Sequence, residues 1–548
     1  MTLFQHVIIL CFVLLPLTQA YRRLPDEYSQ MTGSSQRNVV LSEEPTQDQI
    51  LEIIANHNRH LQSPMNLENL PKPSDHLVTS LPYLNPEDFT TKHYAGHIPA
   101  SEDGDKKLFY WLFEPDTSNH PNIADKDIPL LIWLNGGPGC SSMDGLFLEN
   151  GPLTLIPPAS DGSKSDWTIQ INDHSWHKAP AYVLYIDQPV GTGLSFSKKK
   201  QYCKNDQEVN LDFFFFLQNF LQIHADKFVT IDSDGRKRMN RSLFFSGESH
   251  AGHYIPSMMD FILQRNSDTN PKTAPGIYIH LGGCAIGNGW TDPVYQYSAA
   301  DIGYSLGAID FAQKQAMDNL EVECQNKLRK KNYAANVCWS LLDKVIAQTE
   351  TSTTKMSIYD NRKRESKHQA RIFPPGHKDV ERFLGGWTGD GYPNSMEINY
   401  HDVLNALHAS ESVDAGQRYK ECTDPPYQAL SHQDGKGVVN EVVNVLNHPD
   451  KVRVLFFNGM NDMICNHVGN EQFLDNLPWK YVVEWVTAQR YTWTAIGANP
   501  EDGPSGYAKE YENLTFLKIL NSGHMVRIDS GTFFNPSFNL LNHPFISF

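Results

Sequence analysis

The chain has 548 residues, 40% of them hydrophobic, with a formal net charge of −17 and a pI near 5.7. That is ample apolar material for a large core. The acidic balance argues against nucleic acid as a partner, because phosphate binding needs a basic face. The first twenty residues, MTLFQHVIILCFVLLPLTQA, hold an apolar run from about Val7 to Leu17, with Thr18 and Ala20 at the −3 and −1 positions of a cleavage site. They read as a secretory signal peptide at 1–20, although no Lys or Arg precedes the run. No other stretch reaches transmembrane length, so no membrane span is expected after cleavage. Residues 21–75 are polar and punctuated (SSQ, EEPTQDQ, PKPSD) and read as a propeptide or flexible arm. Within them, residues 50–54 (ILEII) form a short helical patch able to dock.

From residue 76 to 548 the composition is globular. Apolar runs at 107–113, 128–134, 181–186, 242–246, 277–281, 452–457 and 514–520 read as strands. Several are continuous rather than alternating, as in strands covered on both faces. Helical stretches such as 207–224 lie between them, so the fold expected is α/β with a mostly parallel sheet flanked by helices. Residues from about 291 to 440 break this rhythm and read as a helical cap insertion. Of the eight cysteines, Cys11 falls in the leader, leaving an odd set in the mature chain. Asn240-Arg-Ser and Asn513-Leu-Thr are glycosylation sequons, consistent with a secreted glycoprotein.

The strongest chemical signal is SLFFSGESHAGHYIP at 242–256. An apolar strand runs into Gly247-Glu248-Ser249-His250-Ala251, and a helix can follow. Small residues at 247 and 251 let the strand turn sharply and present the Ser249 hydroxyl at the apex. A hydroxyl needs an adjacent base, and the base needs an orienting carboxylate. Asp462 follows the strand VRVLFF and His524 follows LTFLKIL, which is the chain order Ser, Asp, His required of such an elbow. The glycine turn of WLNGGPGCSS (133–142), after another strand, offers backbone N–H groups to an oxyanion. No HExxH or CxxC cluster is present, so neither a metal site nor a cofactor is expected.

WLNGGPGCSSMDGLFLENGP (133–152), YIDQPVGTGLSFS (185–197), GESHAGHYIP (247–256), IGNGWTDP (286–293), NDMICNHVGN (461–470) and GHMV (523–526) together resemble the serine carboxypeptidase family. The likeness runs from about residue 75 to 530. SSMDG, the VECQN…VCWSLL pair of helices and SGYAKEYENLTF look most like its prohormone-processing, Kex-type members. The resemblance implies an α/β-hydrolase fold with Ser249 as nucleophile, His524 as base and Asp462 as its orienter. It implies an oxyanion hole from the N–H groups of Gly137 and His250. Trp133, Asn135, Gly136, Glu149 and Glu248 would recognise the substrate's terminal carboxylate, with Asp144, Cys465 and Met525 near the departing residue. Cys140–Cys422 and Cys324–Cys338 would be bridges, Cys203–Cys284 a third, and Cys465 a free thiol. The chain departs from the pattern at His250, where Tyr is usual, at Arg527 after GHMV, and in the closing segment GTFFNPSF.

The activity implied is serine-type carboxypeptidase: release of single C-terminal residues from peptides and proteins through an acyl-enzyme, in the secretory pathway, secreted or vacuolar/lysosomal. The acid at Asp144 suggests a preference for C-terminal Lys or Arg. Three readings compete on the same fold: an acyltransferase sharing the acyl-enzyme, a lipase or general esterase, and a non-catalytic protective or binding protein. Asn135 and Glu248 would be wasted on an esterase substrate lacking a free carboxylate, and the intact Ser249, Asp462 and His524 weigh against the non-catalytic reading.

Overall fold

The structure is a computed structural model that describes residues 46–62, 70–118, 122–158, 166–270, 273–367, 376–386, 398–495 and 498–526. The expected leader, Cys11, Arg527 and GTFFNPSF lie outside the described residues. An eleven-stranded sheet organises the chain. In chain order its strands are β1 (His93–Pro99), β2 (Lys106–Phe113), β3 (Leu130–Leu134), β4 (Tyr182–Ile186), β5 (Phe196–Ser197), β6 (Leu243–Glu248), β7 (Leu281–Gly287), β8 (Arg453–Gly459), β9 (Tyr491–Trp493), β10 (Gly506–Tyr511) and β11 (Leu514–Ile519). Across the sheet the order is β1-β2-β4-β3-β6-β7-β8-β11-β10-β9, with the short β5 paired to β2. The run β4-β3-β6-β7-β8-β11 is parallel, and antiparallel strands close both edges.

The parallel strands are buried on both faces, which explains the continuous apolar runs LLIWL and YVLYI. One face meets the main helices: α1 (Gln47–Gln62), α2 (Asp206–Ile223) and α3 (Ala251–Asn266), then, after the cap pair α4 (Phe311–Arg329) and α5 (Asn336–Ala347), α6 (Val439–Asn447). Asn205 caps α2 by accepting from the Glu208 N–H at 3.0 Å. The run DFFFFLQNF behind that cap is buried throughout because α2 packs between the sheet edge and α3. Ile50 and Ile54 of α1, within the 21–75 segment, are buried in this same cluster. The opposite face carries Trp111, Trp133, Trp176, Phe147 and Phe383. The cap forms a separate core around the Cys324–Cys338 bridge.

One strand lies a turn later than the pattern suggests. Residues 277–281 supply only the short Ile277–Tyr278 strand of a small second sheet, while the central β7 is the glycine-rich LGGCAIG that follows. Its glycines are steric necessities: a Cβ on Gly282 would stand 2.4 Å from the Phe244 ring, and one on Gly283 2.6 Å from the Arg453 carbonyl oxygen.

Candidate active site

Ser249 follows the last residue of β6 with φ +60°, a left-handed conformation that a side chain adopts only where its surroundings impose it. Its N–H donates to the Gly287 carbonyl at 3.1 Å, and its carbonyl accepts from the N–H groups of Gly252 (2.9 Å) and Trp290 (2.8 Å). A Cβ at Gly247 would stand 2.3 Å from the Leu134 carbonyl oxygen, so the residue two before Ser249 must be glycine. Helix α3 then begins at Ala251. Pro256 removes the donor that would serve the Gly252 carbonyl, and the Thr291 hydroxyl donates to it instead at 3.0 Å.

Asp462 is fully buried in the turn after β8. His524 Nδ1 lies 2.8 Å from its Oδ2, which also accepts from Asn288 Nδ2 (2.7 Å) and the Cys465 N–H (3.2 Å); Oδ1 accepts from the Ile464 N–H (3.0 Å). A carboxylate with this many donors is held in one orientation, which is what an orienting group requires. The His524 N–H is tied in turn to the Tyr359 carbonyl of the cap at 2.7 Å. Asn288 lies in the motif IGNGWTDP, whose spacing alone assigns it no role. It holds the acid, and Gly459 N–H donates back to its side-chain oxygen at 2.9 Å.

The glycine loop abuts the elbow. A Cβ on Gly136 would fall 2.5 Å from His250 N and 2.7 Å from Ser249 Cβ, and Gly137 has φ +112°. Among the described residues neither the Gly137 nor the His250 N–H donates to another backbone carbonyl. Both are therefore free for an oxyanion.

Beside them, Trp133 Nε1 donates to Asn135 Oδ1 (2.7 Å), turning the Asn135 amide group toward Glu248 Oε1 (3.1 Å) and Glu149 Oε1 (3.5 Å). Burial, and then the charge of Glu149 and a hydrogen bond shared with it, push the Glu248 carboxyl far above the usual carboxylate range. Glu248 is thus an acid that holds its proton, a donor suited to another carboxylate. A pocket lined by Trp133, Trp176, Glu149, Glu248, Phe457 and His524 joins this pair to the base. Sequence reasoning missed Trp176 and Phe457, which enter from other strands and loops with no motif of their own.

Asp144 does not line that pocket. It is buried, and burial followed by the charges of Glu421, Glu149 and Asp187 raises its carboxyl well above the ordinary range. Glu421, next to Cys422, is pushed up to about 8 by burial and shares a hydrogen bond with Asp144. Cys465 is buried, and burial, followed by the neighbouring Asp462, pushes its thiol well above the usual range. Met525 is half-buried beside His524. Asp462, Cys465 and His524 offer ligand atoms within 4.8 Å of one another, but the Asp462 oxygens are already committed as above.

The Cys140–Cys422 and Cys324–Cys338 bridges are present, and Cys465 is free. The expected Cys203–Cys284 bridge is not: the Cys203 thiol donates to Asp212 Oδ2 at 3.0 Å, whereas Cys284 sits within β7 between Phe245 and Val454. The sequon at Asn513 is corrected too. It is 6% exposed, and its side-chain nitrogen donates to the carbonyls of Leu446 (3.0 Å) and Val452 (2.8 Å), leaving no hydrogen for a glycan. Asn240 is half-buried, with one such donation, to Lys227 at 3.2 Å.

Comparison with known proteins agrees with this geometry. Residues 82–542 match the family described as serine carboxypeptidase. The chain is 35% identical over 458 residues to the pheromone-processing carboxypeptidase KEX1 of Phytophthora infestans (strain T30-4), covering 83% of this chain and 69% of that one. It is 36% identical over 472 residues to serine carboxypeptidase S10 family member 2 of Dictyostelium discoideum, covering 85% and 76%. The crystal structure of KEX1(Δ)p, a prohormone-processing carboxypeptidase from Saccharomyces cerevisiae, superposes with a TM-score of 0.68 at 27% identity, covering 86% of this chain and 96% of that one. The fold is that of an α/β-hydrolase, and the chain belongs to the serine carboxypeptidase family.

Proposed function

We propose that this carboxypeptidase removes C-terminal residues, with a preference for Lys and Arg, through an acyl-enzyme on Ser249. His524 accepts the Ser249 proton as the hydroxyl attacks the last peptide carbonyl, and Asp462 holds the imidazole through Nδ1. The Gly137 and His250 N–H groups receive the developing oxyanion. His524 then protonates the departing amine, and water hydrolyses the ester by the same route in reverse. The observation that carries the reading is the placing of Glu248, a carboxyl that burial and Glu149 hold well above the usual range, in one pocket with His524. A lipase or esterase would have no use for an acid pair at that spot. A free C-terminal carboxylate is a fitting partner for Asn135 and a protonated Glu248, since two unprotonated carboxylates would repel.

The preference for basic residues rests on Asp144 and Glu421, two buried carboxyls sharing one hydrogen bond just beyond the glycine loop. A cationic side chain reaching them would favour release of a proton from the pair and be held by the carboxylate that remains. The two bridges suit an oxidising compartment, so the secretory pathway remains our assignment. No helix among the described residues is long and apolar enough to cross a membrane. The test is a set of peptides differing only in the last residue, followed by mass. Release of single residues, fastest from Lys and Arg ends, is expected; internal cleavage, or no release, would overturn the proposal. Transfer of the acyl group to an added amine or alcohol, in place of water, would favour the acyltransferase alternative.

A further inference from the structure

The first turn of α3 carries a side chain that the reaction above does not use. His253 is 1% exposed, and its Nε2 lies 3.0 Å from Asp206 Oδ1 at the start of α2. Lys436 Nζ stands 3.3 Å from the other oxygen of the same carboxylate. The His253 ring lies 5.1 Å from the ring of His250, with 20° between their planes. Two further groups face this cluster from the segment that leads into α6 and from α6 itself. Asp434 Oδ1 is 3.9 Å from His250 Nδ1, and Glu441 lies within electrostatic range of His253.

Burial works against a charge on His253, but the ion pair and hydrogen bond with Asp206 outweigh it, so its pKa is raised above the ordinary value. Asp434 stands too far from His250 to hydrogen-bond, and burial and then the charge of His253 lower the pKa of His250 to about 3. The stack is therefore an imidazolium under a neutral imidazole, a pairing without mutual repulsion. Residues three apart on a helix share a face, so the ring of His253 supports that of His250. His250 caps α3 with no side-chain hydrogen bond of its own, and its backbone is held by the His253 N–H donating to its carbonyl at 2.9 Å.

We propose that His253, clamped to Asp206, is a positioning residue for the oxyanion hole: it seats the His250 ring and so aims the His250 N–H at the oxygen that becomes negative. This rests on the reading of Ser249 as nucleophile and His250 as oxyanion donor. The clamp joins α2 to α3 directly beneath the elbow, so a shift of either helix would move the donor. An oxyanion donor that is lost outright lowers kcat by about 10²–10³-fold. One that is merely misaimed should lower it by about ten- to a hundredfold.

The experiment compares His253→Ala, His253→Gln and Asp206→Asn with the wild type. The readouts are kcat, KM and the rate at which a fluorophosphonate labels Ser249, all normalised to the labelled sites reached at long times. His253→Ala is expected to lose about ten- to a hundredfold in kcat and in labelling rate, with KM within about twofold. Glutamine can still donate to Asp206 but does not titrate. His253→Gln should therefore recover kcat to within about threefold and lose the alkaline fall of kcat. Asp206→Asn should move that fall to lower pH, and Asp434→Asn should leave it in place. Should His253→Ala not fold, the Gln and Asn variants carry the test. Wild-type kcat and labelling rate in His253→Ala would overturn the proposal. So would a loss confined to KM, or an alkaline fall that follows Asp434 rather than Asp206. Failure of the wild type to label at Ser249 would instead refute the underlying reading of the site.

Discussion

Glu421→Gln tests the most unusual electrostatic feature of the molecule. The Glu421 carboxyl is 5% exposed, shares a hydrogen bond with Asp144 and is raised by burial from an ordinary 4.5 to about 8. A carboxyl raised in the fold binds a proton that the unfolded chain has released. Its contribution to stability is thus fully present below pH 4.5 and is lost progressively as the pH rises from 4.5 toward the folded value. At pH 7 the loss is about 1.36 kcal/mol for each of the 2.5 units above 4.5, or about 3 kcal/mol. Glutamine keeps the volume and can donate to Asp144 without titrating. The variant should therefore match the wild type at pH 4, within about 1 kcal/mol, and exceed it by about 3 kcal/mol at pH 7. Urea unfolding at the two pH values measures this difference of differences, which cancels errors common to both proteins. If Glu421 also helps to hold basic leaving residues, the same variant should lose more activity on Lys and Arg ends than on Leu ends. An equal stability difference at both pH values would refute the reasoning.

Three further outcomes are expected. Ser249→Ala should abolish turnover, by several orders of magnitude, while leaving the unfolding midpoint near that of the wild type, and a fluorophosphonate should label Ser249 alone; label on another serine refutes the assignment. Glu248→Gln should extend tight binding of free-carboxylate peptides to higher pH, because the raised Glu248 carboxyl of the wild type loses its proton there whereas Gln does not; superimposable peptide and C-terminal amide profiles in the wild type would refute this. A bulky mercurial should inhibit through the free thiol of Cys465, which hydrogen-bonds to Ser249, and Cys465→Ser should resist it; peptide mapping that finds Cys465 in a disulfide would end the idea.

Ser249, Asp462 and His524 are legible as a candidate site because each stands just past an apolar parallel strand, where a continuous run ends abruptly in polar sequence. The strands themselves were legible for the same reason: burial on both faces leaves no room for polar alternation. β7 was not, since a strand threaded between Phe244 and Arg453 must be glycine-rich, and glycine carries no strand signal. β1, with Gly, His and Pro in HYAGHIP, was hidden similarly. Glu421 and Asp206 were illegible for another reason. Their importance lies in what they face across the fold, Asp144 and His253, and no spacing in the sequence encodes that. The Cys203–Cys284 pairing failed because it matched leftover thiols by number rather than by place.

Two opposed sets of buried groups bear strongly on where the fold should be most stable. Burial lowers His76, His93, His97, His177 and His467 to about 4, and His224 and His250 to about 3, so these seven stay neutral in the fold where the unfolded chain would protonate them. Their contribution is present above pH 6.5 and is lost as the pH falls toward 4. Burial raises Asp187 and Asp292 to about 6, Asp434 to about 7 and Glu421 to about 8, with Asp144 and Glu248 also well up. Their contribution is present below about pH 4 and is lost as the pH rises. Near pH 5.5 the unfolded chain binds more protons than the fold at the seven histidines and fewer at the raised carboxyls, so the two sets oppose one another there. Below that point the carboxyls stop opposing the histidines, and above it the histidines stop opposing the carboxyls. Stability should therefore peak between about pH 5 and 6.5 and fall on both sides, a profile suited to an acidic compartment of the secretory pathway. Unfolding midpoints measured from pH 4 to 8 test this. A maximum at pH 8, or a steady rise across the range, would show that the buried carboxyls do not hold their protons, and with them would fall the role given to Glu248.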